Sequence, residues 1–148
     1  MFTYRRRAQY HETDQMGIIH HANYVKWMEE ARIRYMEELG FSYKAMEETG
    51  VVSPVTGISV DYGKSVGFDE EVEVGVSILR YSGAVLELSY LFTNLTNGEV
   101  CTRATSKHCF LKKGMLVSLK KVSPELDAKL REEAKGEKEQ NSEEEKEQ

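Results

Sequence analysis

The chain has 148 residues, of which 40% are hydrophobic and 30% charged, which is typical of one folded domain that needs no disulfide or metal to complete its core. Residues 123–148 carry ten acids and five bases and residues 1–122 carry fifteen of each, so the net charge of −5 lies in the C-terminal segment. A neutral domain without a long basic stripe argues against nucleic acid as a partner. With no long apolar run, the sequence predicts a cytoplasmic protein without a membrane span.

The first elements predicted along the chain are a strand over residues 2–12 and a long helix over residues 21–39. Within residues 21–39, apolar side chains recur at steps of three and four, which would form one stripe on a helix. The stripe contains Tyr24, Trp27, Met28, Ala31, Tyr35 and Leu39. Gly40 follows where a left-handed cap ends many helices.

Charged residues on these two elements indicate surfaces that face solvent. Arg5, Arg6 and Arg7 alternate between the two faces of the predicted strand, which favours a basic sheet edge, with an anion contact as the second interpretation. Glu30 and Arg34 have the i,i+4 spacing of an ion pair, which we expect on the wet side of the helix.

The rest of the chain changes from helical to strand periodicity. A short helix is predicted over residues 42–50, with Ser42 as its cap. After it, apolar and polar residues alternate, as in strands with one buried face. Strands are predicted over residues 51–62 (interrupted by Pro54), 72–78, 86–92, 99–111 and 115–121, with a hairpin turn at 96–98. One apolar helix stripe and several half-apolar strands predict an α+β fold, with an antiparallel sheet wrapped around a long central helix.

The two cysteines, Cys101 and Cys109, fall in one predicted strand. Their spacing corresponds to about 27 Å along a strand, far more than the roughly 7 Å that a disulfide allows between Cα atoms. We therefore expect two free thiols in a reducing compartment.

Residues 123–148 are predicted to be a charged tail outside a domain over residues 1–122. The beginning of the tail indicates a short helix with Leu126 and Leu130 on one side. The last residues contain no apolar side chain and cannot offset their ordering entropy by burial, so we expect disorder wherever the helix does not extend into them.

The stretch YHETDQMGIIHHANYVKWMEEAR, residues 10–32, carries the strongest functional signal. Asp14 has two interpretations: a turn residue that binds its own backbone, or a carboxylate that acts on a carbonyl as nucleophile or general base. The helix start just downstream exposes N–H groups that can stabilise an oxyanion. An acid beside such a helix start is a workable site for acyl transfer.

His20 and His21 lie at this helix start. Neighbours on a helix diverge by about 100°, so we expect only one of them to face a site, with capping and packing as the structural alternatives. Tyr10 is either a core aromatic or a hydroxyl donor to the site. The sequence lacks zinc-ligand spacing, a phosphate loop, a dinucleotide fingerprint and a G-x-S-x-G elbow, so it predicts no metal and no cofactor.

The same stretch resembles the signature of the 4-hydroxybenzoyl-CoA thioesterase family, in particular its bacterial acyl-CoA thioesterase branch. The family pattern is approximately Y-x-x-T-D-x-x-G-x-x-x-H-x-x-Y-x-x-[FW]-x-E-x-A-R. It is matched in register by Tyr10, Thr13, Asp14, Gly17, His21, Tyr24, Trp27, Glu29, Ala31 and Arg32. The resemblance covers about residues 3–112.

This resemblance implies the hotdog fold and the hydrolysis of an acyl-CoA thioester to a free acid and CoA. It implies that Asp14 is the catalytic carboxylate, that Tyr10 and His21 assist it, and that the backbone amide at His21 polarises the thioester carbonyl. Gly17 and Tyr24 are carried over as substrate-binding positions. Relatives form homodimers, often paired into homotetramers, with their sites at the dimer interface.

The chain departs from the family after the central strand. Relatives commonly have Pro-Ala-Arg where residues 65–67 are Ser-Val-Gly. Lys64 could replace the missing positive charge near the CoA phosphates. Two alternative functions stay open, a hotdog hydroxyacyl-thioester dehydratase that uses Glu29 or Glu30, and a non-catalytic acyl-CoA-binding protein.

Overall fold

The computed structural model describes residues 1–148. Its main sheet contains five antiparallel strands, namely β1 (Phe2–Arg7), β3 (Val55–Tyr62), β4 (Glu71–Tyr81), β5 (Val85–Asn94) and β6 (Glu99–Cys109). The strand order is β1-β4-β5-β6-β3, so β1 and β3 form the two edges. A small second sheet contains β2 (Val51–Val52), β7 (Leu111–Lys112) and β8 (Met115–Leu116).

Four helices accompany the sheets, namely α1 (Ala22–Glu38), α2 (Tyr43–Glu48), α3 (Leu119–Val122) and α4 (Pro124–Glu147). The predicted apolar stripe of α1 is buried except for Leu39, which follows the helix and is partly buried, and Trp27, Met28 and Ala31 are inaccessible to solvent. This stripe joins the alternate residues of β4 and β5 in one hydrophobic core. The predicted hotdog architecture, a sheet wrapped around a long helix, is confirmed. None of the helices is long and apolar enough to cross a membrane.

Local signals begin α2 and end α1 where the sequence predicts. The Ser42 hydroxyl accepts a hydrogen bond from the amide of Ala45 at the start of α2. Gly40 follows α1 with φ at 89°, a left-handed conformation that costs little without a Cβ atom. Cys101 and Cys109 both lie in β6 as free thiols.

β1 and β8 are much shorter than the strands that the sequence predicts. β1 ends at Arg7, and a 3-10 turn over Tyr10–Glu12 follows, because the Glu12 carboxylate accepts a hydrogen bond from the Gln9 amide and draws the chain into a turn. Of the closing strand predicted over residues 115–121, only β8 forms. Leu119 instead begins α3, where its side chain is fully buried.

The C-terminal segment differs from the expected short helix and disordered end, because α4 is continuous to Glu147. Leu126 and Leu130, predicted to lie on one side of a short helix, are both buried in the core. Glu137 is buried too, and its carboxylate accepts a hydrogen bond from the amide of Ile78 on β4. Ile78 lies beyond Val76, the last β4 residue that pairs with β1. The Glu137 carboxylate thus takes the place of a strand partner at a position that β1 does not reach. It anchors α4 to β4, a contact that the sequence pattern did not reveal.

The predicted Glu30–Arg34 ion pair does not form. Arg34 pairs with Glu37 at 3.0 Å. Glu30 accepts a hydrogen bond from the Tyr4 hydroxyl at 2.9 Å and lies 3.4 Å from Arg6. Both partners belong to β1, which packs beside α1 in the fold, so helix spacing alone could not predict this pairing.

Candidate active site

A cleft of about 210 Å³ opens where the N-terminus of α1 meets the end of edge strand β3. Three segments line it: the loop before α1, the start of α1, and the residues that end and follow β3. The lining residues are Asp14, Met16, Ile18, Ile19, His21, Tyr24, Tyr62, Gly63, Lys64 and Ser65. We call this the Asp14 cleft; it contains Asp14, His21, Tyr24 and Lys64 from the six predicted site residues.

Asp14 is half-buried in a tight turn. Its amide donates to the carbonyl of Ile18 at 2.8 Å, and its carbonyl accepts from the amide of Gly17 at 3.0 Å. Carboxylate oxygen Oδ1 accepts a hydrogen bond from the amide of Met16 at 2.8 Å, which is the turn role that the sequence allowed. Oδ2 accepts no hydrogen bond from the protein. One oxygen is therefore held in place while the other is available for chemistry.

Gly17 and Tyr10 do not line the cleft. Gly17 closes the Asp14 turn with φ at 78°, so it shapes the loop that presents Asp14. Tyr10 is 78% exposed, and its ring meets Phe68 edge-on at 5.5 Å between centroids. The 3-10 turn directs Tyr10 outward, so the structure gives it neither the core position nor the site contact that the sequence suggested.

The two histidines at the helix start have different surroundings. The His20 ring accepts a hydrogen bond from the amide of Ala22 through Nδ1 at 3.2 Å, which caps the helix. His21 lines the Asp14 cleft, and its ring stacks on His20 at 4.2 Å between centroids. One histidine therefore caps while the other faces the cleft.

One amide of the helix start lacks an acceptor. The N–H groups of Ala22, Asn23 and Tyr24 donate to the ring of His20, the carbonyl of His20 and the carbonyl of His21, respectively. The N–H of His21 donates to no protein group. It lies at the positive end of a 17-residue helix, where a donor favours an oxygen that gains negative charge.

Glu12 connects the Asp14 loop to α1, a role that sequence reasoning missed. Its buried carboxylate accepts two hydrogen bonds from Arg6, both at 2.8 Å, and one from the Trp27 indole at 2.7 Å. Its carbonyl accepts from the His20 amide at 2.9 Å and from the Asn23 side chain at 2.8 Å. We call this the Glu12 cluster. No local signal identified it because its partners come from β1 and α1.

Tyr24 forms the aromatic floor of the cleft. It is only 3% exposed, and its ring lies 5.3 Å from that of Tyr62 and 5.5 Å from that of Phe92. Burial raises the pKa of Tyr24 to about 12. Its hydroxyl therefore stays protonated and uncharged well above neutral pH.

The side chain of Lys64 lies at the rim of the cleft but is not a free cation. Its ammonium group pairs with Glu99 at 3.0 Å, and both side chains are exposed. Its amide donates to the carbonyl of Cys101 at 2.9 Å, which fixes the turn after β3. An anion at this position would compete with Glu99 for the lysine.

A second polar cluster lies under α1 outside the Asp14 cleft. Arg32 donates to the hydroxyls of Tyr43 and Tyr90 at 3.0 and 3.2 Å. The Ser106 hydroxyl lies 2.7 Å from the Tyr90 hydroxyl and 2.6 Å from Nε2 of His108. His108 is 1% exposed, and burial, with the nearby Arg32 charge, lowers its pKa to about 4. The Ser–His pair of this His108 cluster is therefore sealed from substrate.

Comparison with known proteins gives one family. A family model described as the thioesterase-like superfamily matches residues 8–130. A candidate acyl-CoA thioesterase of Bacillus subtilis (strain 168), YneP, is 43% identical over 101 residues, covering 68% of this chain and 72% of that protein. An acyl-CoA thioester hydrolase of Escherichia coli O157:H7, YbgC, is 28% identical over 97 residues, covering 66% and 72%.

A solved structure agrees with these matches. The DHNA-CoA thioesterase from Staphylococcus aureus is 34% identical, with a TM-score of 0.85 over 88% of each chain. At this identity the likeness extends beyond the shared fold.

Proposed function

The chain belongs to the thioesterase-like superfamily, and on that premise we propose that it hydrolyses an acyl-CoA thioester to a free acid and CoA in the Asp14 cleft. One observation carries the proposal. A carboxylate with an unpartnered oxygen, on Asp14, shares a cleft with a helix start whose His21 amide has no protein acceptor. Acyl transfer needs both a group that reacts at the carbonyl and a donor for the oxyanion.

The reaction has two possible courses at Asp14. The carboxylate can attack the thioester carbon, which breaks the C–S bond, releases CoA as its thiolate and leaves a mixed anhydride that water then cleaves. Alternatively, it can take a proton from a water that attacks the same carbon. In both courses the His21 N–H stabilises the negative charge on the carbonyl oxygen.

The geometry disfavours the two alternative functions. Glu30, one of the acids available to a dehydratase, is bound to Tyr4 and Arg6, and neither Glu29 nor Glu30 lines the cleft. A non-catalytic binding protein would have no use for a half-held carboxylate beside an unpartnered amide. Binding of acyl-CoA without thiol release would nevertheless favour that function.

The acyl group that this protein accepts is best identified with a panel of aromatic and aliphatic acyl-CoAs. The similar Staphylococcus aureus protein acts on DHNA-CoA by its name, and aromatic rings of Tyr24 and Tyr62 line this cleft. We therefore expect aromatic acyl-CoAs to be hydrolysed at least as well as aliphatic ones. Measuring thiol release from both series tests this, and faster release from aliphatic members would contradict it.

We also infer a homodimer, which can pair further into a tetramer, joined through β3. This edge exposes three large apolar side chains, Val55, Ile58 and Tyr62, each more than 40% accessible. The other edge, β1, carries arginines, which discourage pairing. A monomeric mass in sedimentation would contradict the dimer.

The cytoplasmic location that the sequence suggests stays a prediction.

Replacing Asp14 by Asn tests the proposed function. The amide keeps the Oδ1 acceptor for Met16 and removes only the charge, so we expect normal folding and a fall in kcat of at least about 100-fold. Asp69→Asn is the matched control, because Asp69 is exposed and paired only with Arg7; its kcat should not change. Near-normal turnover of Asp14→Asn would exclude Asp14 as the reacting group. Single turnover in ¹⁸O-water distinguishes the courses, since label enters Asp14 only through the anhydride.

A further inference from the structure

We propose that Tyr62 is a positioning residue that holds the oxyanion-binding amide of His21 in place. The proposal rests on the proposed thioesterase function and assigns a role to a residue outside the family pattern matched above. Tyr62 ends the edge strand β3, and its hydroxyl donates to the backbone carbonyl of His21 at 2.8 Å.

The ring of Tyr62 makes further contacts to the same segment. It meets the imidazole of His21 edge-on at 6.2 Å between centroids and the ring of Tyr24 edge-on at 5.3 Å. All three residues line the Asp14 cleft. The ring thus packs against the helix start, and the hydroxyl adds a directional bond to one backbone atom.

The two hydrogen bonds on either side of His21 explain why this bond matters. On one side, the amide of His20 is tied to the carbonyl of Glu12 at 2.9 Å. On the other, the carbonyl of His21 is tied to Tyr62. The unpartnered N–H of His21 lies between these two tethers, and the carbonyl of His20, in the same peptide plane, accepts from the amide of Asn23 at 2.9 Å. Without the Tyr62 hydroxyl, the carbonyl of His21 keeps only helix partners such as the amide of Tyr24, at 3.3 Å, so we expect residue 21 to be held less firmly while the helix stays folded.

Tyr62 is itself firmly anchored. The amides of Gly63 and Lys64, directly after it, both donate to the carbonyl of Cys101, at 3.0 and 2.9 Å. Burial raises the pKa of the Tyr62 phenol, so the hydroxyl keeps its proton and donates at neutral pH. The bond therefore links the helix start to a fixed point on the edge of the sheet.

Tyr62→Phe tests the proposal, because it keeps the ring contacts and removes only the hydroxyl. We expect kcat to fall about 5- to 10-fold, as for loss of one directional hydrogen bond, with KM within about twofold of the unchanged protein. Tyr62→Leu, which also loses the ring contacts, should be no better. Tyr81→Phe is the matched control: it removes a tyrosine hydroxyl bonded to Asp127, far from the cleft, and should leave kcat unchanged.

A spectroscopic measurement separates positioning from a purely structural role. An acyl-CoA with a ¹³C-labelled carbonyl, bound to Asp14→Asn so that it persists, should show a lowered carbonyl stretching frequency from the His21 N–H. We expect this shift to shrink when Tyr62→Phe is added, while the circular-dichroism melting curve stays the same.

Three results would overturn the role of Tyr62: an unchanged kcat in Tyr62→Phe, an effect on KM alone, or an undiminished carbonyl shift. Absence of thiol release by the unchanged protein from every acyl-CoA would instead overturn the proposed function, and the role of Tyr62 with it. Active unchanged protein with an equally active Tyr62→Phe would overturn only the positioning role.

Discussion

The Glu12 cluster contacts α1 through Trp27, and the His108 cluster contacts the same helix through Arg32. The two clusters stabilise their charged groups in opposite ways. Glu12 is a buried carboxylate whose cationic partner, Arg6, is mostly buried, with 14% of its side chain exposed. Arg32 is a buried cation with only phenol partners, next to a histidine that burial keeps neutral. The first cluster pins the loop and helix start that form the cleft, whereas the second is enclosed in the core.

The comparison shows that residue types alone do not identify a site. The His108 cluster contains a serine and a histidine 2.6 Å apart, the pairing expected of a nucleophile and its base. It lacks access for a substrate, and Nδ1 of His108 has no acceptor to orient the ring. The Asp14 cleft has no such pair, but it leaves a carboxylate oxygen and an amide unpartnered where substrate can reach them.

The largest expected effect on stability comes from the Glu12 cluster. Glu12→Gln keeps the shape of the side chain but leaves Arg6 without its main counter-ion. Breaking a mostly buried pair in this way should lower the free energy of unfolding by about 3 kcal/mol, toward the smaller end of the usual range because Arg6 is partly exposed and Glu30 remains near it. Urea denaturation measures the change.

Glu73→Gln is the control for this prediction. Glu73 pairs with Arg5, another arginine of β1, at 3.1 Å, but the arginine is 63% exposed. Its loss should cost less than about 1 kcal/mol. Equal losses in the two variants would show that burial does not distinguish the pairs.

The His108 cluster predicts an effect of at most similar size, and this effect depends on pH. The pKa of His108 is about 4 in the folded protein and near 6.5 when unfolded. Above pH 6.5 the histidine is neutral in both states and contributes nothing. As the pH falls from 6.5 to 4, only the unfolded chain takes up the proton, so up to about 3 kcal/mol of stability is lost.

His108→Gln should remove this dependence. Unfolding free energies of both proteins at pH 7 and pH 4.5 isolate the effect, because other titrating groups, such as Asp127 and Glu137, are common to the two. The loss on acidification should be smaller in the variant. Identical losses would mean that His108 is not kept neutral by its surroundings.

The smallest effect is expected at the rim of the Asp14 cleft. Lys64→Ala breaks an exposed pair and should change the free energy of unfolding by less than about 1 kcal/mol. If Lys64 contacts CoA phosphates, KM should rise about 3- to 10-fold with kcat unchanged, and the rise should shrink at high salt. Lys107→Ala, which breaks the pair of an exposed lysine with Glu87, is the control. Equal KM values in the two variants would remove Lys64 from the binding site.

Several parts of the fold could be predicted because they depend on local spacing. The stripe of α1, the cap at Ser42 and the alternation in β4 and β5 are periodic or short-range features, and the structure contains all of them. The motif around Asp14 was also found from sequence, since its loop and helix start are adjacent in the chain.

The remaining features depend on partners that only tertiary packing brings together. Glu30 binds Tyr4 and Arg6 instead of Arg34, because β1 packs beside α1. Glu137 anchors α4 through the amide of Ile78, a contact between residues 59 positions apart.

The sequence by itself determined the family pattern, the helix with its apolar stripe, and the acid that precedes it, since each is written in neighbouring residues. Only the tertiary structure decided which groups share the Asp14 cleft. It brought Tyr62 from the edge strand to the carbonyl of His21, turned Tyr10 outward, and sealed His108 in the core. The physical reason is that hydrogen bonding and burial act between atoms that are close in space, whatever their separation along the chain.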